Sequence, residues 1–286
     1  MDNKFPVIPM AKAALLMPFR YVGKMIIAIG LMILVALFAI LATVGVALMV
    51  GVDKQNLQNM EALFQAGDFS MLLGLSGIAF ASLLGALIFV GVLTHIFNHW
   101  VRLVTFGPEG AKFASFKAAL GATAVNGVKF FLILILTSLI SLVVTFVLGQ
   151  LGLSPSLSEQ MAASETANIA EQSASASLSS IIMAIVSCLV YSVFSANLTQ
   201  TALGSDKEGL DHPHTVDFAI VLFLIYLVVL LPSIAVAYAG LSTLLIVIQF
   251  VLGFYVLFAA AAAHGLRYNL CIAENAAQTD TVEGPQ

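Results

Sequence analysis

The sequence predicts an all-α, polytopic membrane protein: six transmembrane helices joined by short interfacial helices and loops. Three observations predict it. Of the 286 residues, 60% are hydrophobic and only 9% are charged, about a third of the charged share of a soluble chain. The apolar residues fall in uninterrupted runs, each long enough to cross about 30 Å of hydrocarbon at 1.5 Å per residue. Those runs do not alternate, so the ten-residue dyad pattern of a β-barrel is absent.

Six spans follow in order: 25–51, 71–98, 127–151, 178–198, 216–237 and 240–264. The last two come from one run, Phe218–Ala263, without an acidic or basic residue. It is too long for a single crossing, and it is expected to turn near Pro232–Gly240. Residues 1–24 form a basic cytoplasmic segment, 25–268 the membrane domain and 269–286 a flexible polar tail. The N-terminal polar lead holds three prolines, and the run after it exceeds the core of a cleaved signal. It reads as a retained first span, and no soluble domain is expected.

Orientation follows the lysine and arginine bias of short loops. With both termini inside, only Lys54 of the 11 basic residues lies outside, leaving ten within. The expected location is a bacterial cytoplasmic (inner) membrane, with N- and C-termini cytoplasmic.

The segments between the spans carry secondary expectations. Val7–Lys24 mixes lysines and arginine with Leu15, Leu16, Phe19 and Val22. It fits either a helix lying in the interface or an ordinary basic flank. Ala111–Asn126 reads as a second interfacial helix or as the start of an elongated third span, with a break between Gly121 and Gly127. Gln55–Phe69 has apolar residues at helical spacing and predicts a short external helix. The Ser/Ala-rich stretch Gly152–Ser177 has no aromatic or basic residue and is expected to be mobile or weakly helical.

Small residues at Gly77, Ala81 and Gly85 recur every fourth position and predict a helix-packing seam, within the chain or in a dimer. Hydroxyl stripes run along the third span (Thr137, Ser141, Thr145) and the fourth (Ser187, Tyr191, Ser195). They fit either interhelical hydrogen bonding or a polar path, to which Gln249, deep in the last span, would contribute. Arg20, Lys24, Trp100 and Arg102 are expected as interface anchors. His95 and His99, four apart on a helix, face one way and are the candidate metal ligands, with His212 and His214 beside Asp211 and Asp217 as further donors. The two cysteines, Cys188 and Cys271, lack a redox or zinc spacing and read as small apolar fillers.

No span carries an acidic or basic residue at its middle, which argues against ion-coupled transport. No phosphate loop, nucleophile elbow or dinucleotide fingerprint is present. The chain is therefore expected to be no enzyme, with no catalytic residue and no cofactor. Its expected partners are membrane lipids, with a protein partner or a second copy, and no nucleic acid. The leading expectation is an accessory, scaffold or assembly protein acting through lipid or protein partners. The second is a passive pore or transporter for an uncharged or lipid-like solute, and the third a cytoplasmic-face metal-binding protein.

At the end of the second span stands HIFNHWVRLVTFGPEGA. Trp100, Arg102 and Gly107 resemble the Trp-His-Arg and glycine segment of bacterial six-helix proteins related to the glycerophosphodiester phosphodiesterase membrane domain. Val101 stands where those relatives often have histidine. The resemblance implies a six-helix bundle in a bacterial cytoplasmic membrane. It transfers no catalytic residue, because the phosphodiesterase chemistry belongs to a separate soluble domain.

Overall fold

A computed structural model describes residues 5–50, 70–151, 169–204 and 214–282. Among them are seven helices: α1 (Val7–Arg20), α2 (Val22–Val50), α3 (Ser70–Gly110), α4 (Phe116–Gln150), α5 (Ile169–Leu203), α6 (Thr215–Tyr238) and α7 (Ser242–Val282). All but α1 are long and apolar enough to cross a membrane, so this is a multi-pass membrane chain. The expected Gln55–Phe69 helix and most of Gly152–Ser177 lie outside the described residues, although α5 already begins at Ile169.

The chain divides into two compact units, Gly23–Ile96 and Met1–Val22 with Phe97–Gln286. The first holds α2 and the N-terminal part of α3. Its seam is the small-residue row. A Cβ on Gly85 would stand 2.8 Å from that of Ala39, and one on Gly77 would lie 3.5 Å from Val46 Cγ1. The glycine row is thus turned toward α2 of the same chain. Close backbone approach supplies the dispersion that holds helices together where lipid offers no hydrophobic drive.

The second unit is built from α1, the end of α3, and α4 to α7. Its helices meet in the order α4, α5, α6, α7, and α1 lies against both α6 and α7. Most buried of the spans is α6, with a third of its apolar window (33%) covered. A Cβ-free turn separates α6 from α7: Gly240 takes φ 69°, and the Leu241 amide returns to the Val236 carbonyl at 3.2 Å. That is a glycine C-cap. The turn therefore falls at Gly240, and α6 passes through Pro232 without ending there.

Several boundaries differ from expectation, each for a local reason. α4 runs unbroken from Phe116, capped by Ser115 Oγ on the Ala118 amide. The second interfacial candidate is thus an elongated span, and Gly121 and Gly127 make no break. α3 is interrupted at Gly107, φ 76°. Pro108 excludes the helical region for its predecessor, and glycine alone adopts the left-handed alternative at little cost. The polar tail does not fray at 269, since α7 continues to Val282. α1 is a helix whose Met10, Ala11, Ala14 and Pro18 are buried, while Ile8, Leu16 and Phe19 face outward.

Candidate functional site: a closed polar layer and an uncharged cavity

In the second unit, the end containing the start of α4 and the end of α5 is closed by a polar and aromatic layer. Asn98, wholly buried on α3, accepts from Asn126 Nδ2 of α4 at 2.7 Å, and the same amide donates to the Leu198 carbonyl of α5 at 3.0 Å. One short side chain thus ties three helices. Trp100 is 1% exposed. Its ring packs edge-on against Tyr21 at 6.3 Å and tilted against Phe258 at 4.7 Å. Trp100 is a core residue, which corrects its reading as an interface anchor.

Arg102 is half-buried. Its guanidinium donates to the carbonyls of Gly110, Ala111, Lys112 and Leu203, at 2.8–3.2 Å, and lies over the Phe106 and Phe113 rings. It binds the turn made by Gly107–Pro108 to the last carbonyls of α5, where a cation also meets the negative end of the helix dipole. Lys129 does the same one helix away, donating to Asn197 and Thr201 near the end of α5. Arg20 is exposed and Lys24 half-buried.

Deeper in this layer, Arg267 of α7 is 2% exposed. It donates to Ser195 Oγ at 2.7 Å and stacks on Phe218 at 4.6 Å. His264, one turn earlier and 1% exposed, is boxed by the rings of Phe97, Phe218 and Tyr191. Its Nδ1 lies 2.8 Å from Thr199 Oγ1 and its Nε2 3.0 Å from the Tyr191 hydroxyl. The sequence places His264 and Arg267 at the end of a span. It does not disclose that α7 carries both inside a packed layer. The Ala259–Ala263 run before them was the available signal, since small side chains mark close helix approach.

Beyond that layer the helices part. A cavity of about 1190 Å³ opens between α4, α5, α6 and α7. Phe130, Ile133, Leu134 and Thr137 line it from α4, and Ser180, Ser187, Cys188 and Tyr191 from α5. α6 contributes a row from Leu222 to Tyr238, and α7 contributes Leu245, Gln249, Gly253, Val256 and Ala260. The α6 row spans about 24 Å at 1.5 Å per residue, most of the roughly 30 Å hydrocarbon thickness. Among the described residues, no Asp, Glu, Lys, Arg or His lines it. Gly253 faces open space, because a Cβ there would meet nothing within 4 Å.

Four of the predicted polar positions, Thr137, Ser187, Tyr191 and Gln249, converge on this cavity. Ser141 and Thr145 are half-buried on α4 outside its lining, and Ser195 belongs to the closed layer. Among the described residues no group of three or more His, Cys, Asp or Glu could hold a metal ion, so His95 and His99 gain no third donor there. His214 instead pairs with Asp217 at 3.3 Å in the first turn of α6, while His212 and Asp211 lie outside the described residues. No protein-family model, curated protein or solved structure matches the chain.

Proposed function

We propose that this chain is a lipid-binding accessory protein of a bacterial cytoplasmic membrane, with both termini cytoplasmic, that holds one neutral long-chain molecule between α4 and α7. The observation that carries this reading is the uncharged cavity. Its length matches an extended acyl chain, and its few polar groups are hydroxyls, a thiol and one amide. A charged ligand group would be desolvated there with no opposite charge to meet it, a cost of several kcal/mol. A long apolar chain meets complementary walls.

The closed layer argues against a conducting pore. The lining stops at Tyr191 and Ala260, and past Ala260 on α7 His264 and Arg267 are packed to 1% and 2% exposure. A site open along the span but sealed at one end suits lateral capture from the bilayer. The basic-residue bias supports the orientation, and the Trp100–Gly107 resemblance supports the membrane. On this reading the protein binds and presents, and does no chemistry of its own.

Gly253→Phe tests it, because a Cβ at this cavity-lining position meets nothing within 4 Å and the added ring would take up cavity volume. Lipid retained by detergent-purified protein, measured by mass spectrometry, should include about one tightly held neutral species per wild-type chain. The variant should lose it while folding normally. Identical retained profiles in the two proteins would sink the reading.

A further inference from the structure

The two ends of the cavity differ in how their polar groups are paired. At the closed end the Tyr191 hydroxyl lies 3.0 Å from His264 Nε2, and His264 Nδ1 lies 2.8 Å from Thr199 Oγ1. Whichever way the protons run, these groups serve one another. Thr137 and Ser187, further along the wall, carry short hydroxyls. Such groups can close on the carbonyl one turn earlier, as Thr94, Thr105 and Thr199 do at 2.8–3.0 Å, and then need no guest.

The end nearer the α6–α7 turn is different. Ser233 Oγ is buried and has no hydrogen-bond partner among the described residues. Gln249 is exposed on the wall, and no described residue bonds its amide. Its neighbours one turn away on α7 are Leu245, Ile246, Leu252 and Gly253, none with a polar side chain to pair. Leu245, Gln249, Gly253, Val256 and Ala260 all line the cavity, and their three- and four-residue spacing puts them on one face of α7. The bare Gly253 leaves the space one turn below the amide open. Ser233 stands seven residues before the Gly240 turn and Gln249 nine after it, so at 1.5 Å per residue their depths agree within about 3 Å. From them to Leu222 and Ala260, the inner limits of the lining, is eleven residues on each helix, or about 16 Å.

A polar group kept from water without a partner is costly. Unpaired polarity therefore marks where a ligand's own polar group belongs, and paired polarity marks the place of its apolar end. Resting on the lipid-binding reading above, we infer that Gln249 and Ser233 bind the head of the captured molecule. The ligand is a neutral lipid with one uncharged hydrogen-bonding head at their level and a chain running inward to Tyr191 and Ala260. A carboxamide both donates and accepts, so the pairing holds whichever way the Gln249 amide is turned. In the orientation proposed above the head faces away from the cytoplasm, the direction of a lipid in the outer leaflet.

The test uses the full chain in micelles with two photoreactive forms of hexadecanamide. One carries its diazirine near the amide and the other at the far end of the chain, and labelled peptides are mapped by mass spectrometry. In wild type the first probe should label α6 and α7 near Ser233 and Gln249, and the second the residues around Tyr191 and Ala260. Gln249→Leu should lower labelling by the first probe about tenfold, the share expected of one buried hydrogen bond. Gly253→Phe should abolish labelling by both. The reverse pattern in wild type, or the same pattern from both probes, overturns the head assignment; its loss in Gly253→Phe leaves lipid binding standing. Undiminished labelling of a folded Gln249→Leu overturns the assignment as well. Wild-type labelling no greater than that of Gly253→Phe overturns both readings. The two-probe comparison needs no variant, so a poorly folding Gln249→Leu cannot shield the inference.

Discussion

Two glycines twelve positions apart on α7 stand in opposite surroundings. A Cβ on Gly253 would meet nothing within 4 Å, whereas on Gly265 it would lie 3.0 Å from Val101 O, Thr105 Oγ1 and Val104 Cβ. The first glycine faces the cavity and the second presses on α3. One helix thus serves a tight polar layer at one end and a loose apolar wall at the other. The contrast shows where this unit keeps its stability. In lipid, burying an apolar side chain against protein exchanges one hydrocarbon neighbour for another, so affinity between helices comes from close fit and from hydrogen bonds. The layer around Trp100, Asn126, His264 and Arg267 has both. On the cavity wall Gly253 meets no such neighbour, which leaves room there for a guest.

The largest effect should come from emptying the layer at its bulkiest point. Trp100→Ala removes a ring 1% exposed and should cost about 3 kcal/mol in detergent unfolding experiments. Leu245→Ala on the cavity wall should cost less than about 1 kcal/mol, because that side chain is already half-uncovered and leaves no new void inside a packed region. Equal costs at the two sites would break the comparison.

A smaller effect sharpens it with one methyl group. Gly265→Ala should destabilise by about 1–2 kcal/mol, since the Val101 carbonyl is backbone and cannot swing aside. Gly253→Ala should leave the unfolding midpoint unchanged or raise it slightly, because alanine is the better helix former. A midpoint lowered equally by both substitutions would mean that α7 has no loose half.

This division was only partly legible in the sequence. The six spans were, because a neutral run of bilayer thickness has few alternatives once every backbone group must bond internally. The Gly77–Gly85 row was too, because four-residue spacing fixes a face whatever lies opposite. Tyr191 and Ser195 share a stripe in the sequence yet part company in space. One turn of helix separates the cavity floor from the packed layer, and periodicity has no information on where a gap between helices ends. Arg102 was out of reach for a different reason. One of its acceptors, the Leu203 carbonyl, lies 101 residues away, and backbone oxygens have no signature in a sequence. A cation at the end of a span reads as an interface anchor unless the helix is known to continue, as α7 does past Arg267.

Gln249→Leu should give the smallest change, and it tests the comparison from the polar side. In the sequence, a glutamine deep in an apolar span reads as the costliest residue to keep and the costliest to lose. Its side chain is exposed on the cavity wall, so the unfolding midpoint should shift by no more than about 0.5 kcal/mol, in line with the modest worth of single polar groups inside membranes. Asn126→Leu should cost several times more, since it strips the Asn98 and Leu198 acceptors of their donor within a wholly buried layer. If the two substitutions weighed the same, polarity alone would set the cost of a residue here. If Asn126 outweighs Gln249, the cost is set by which end of the cavity the residue occupies.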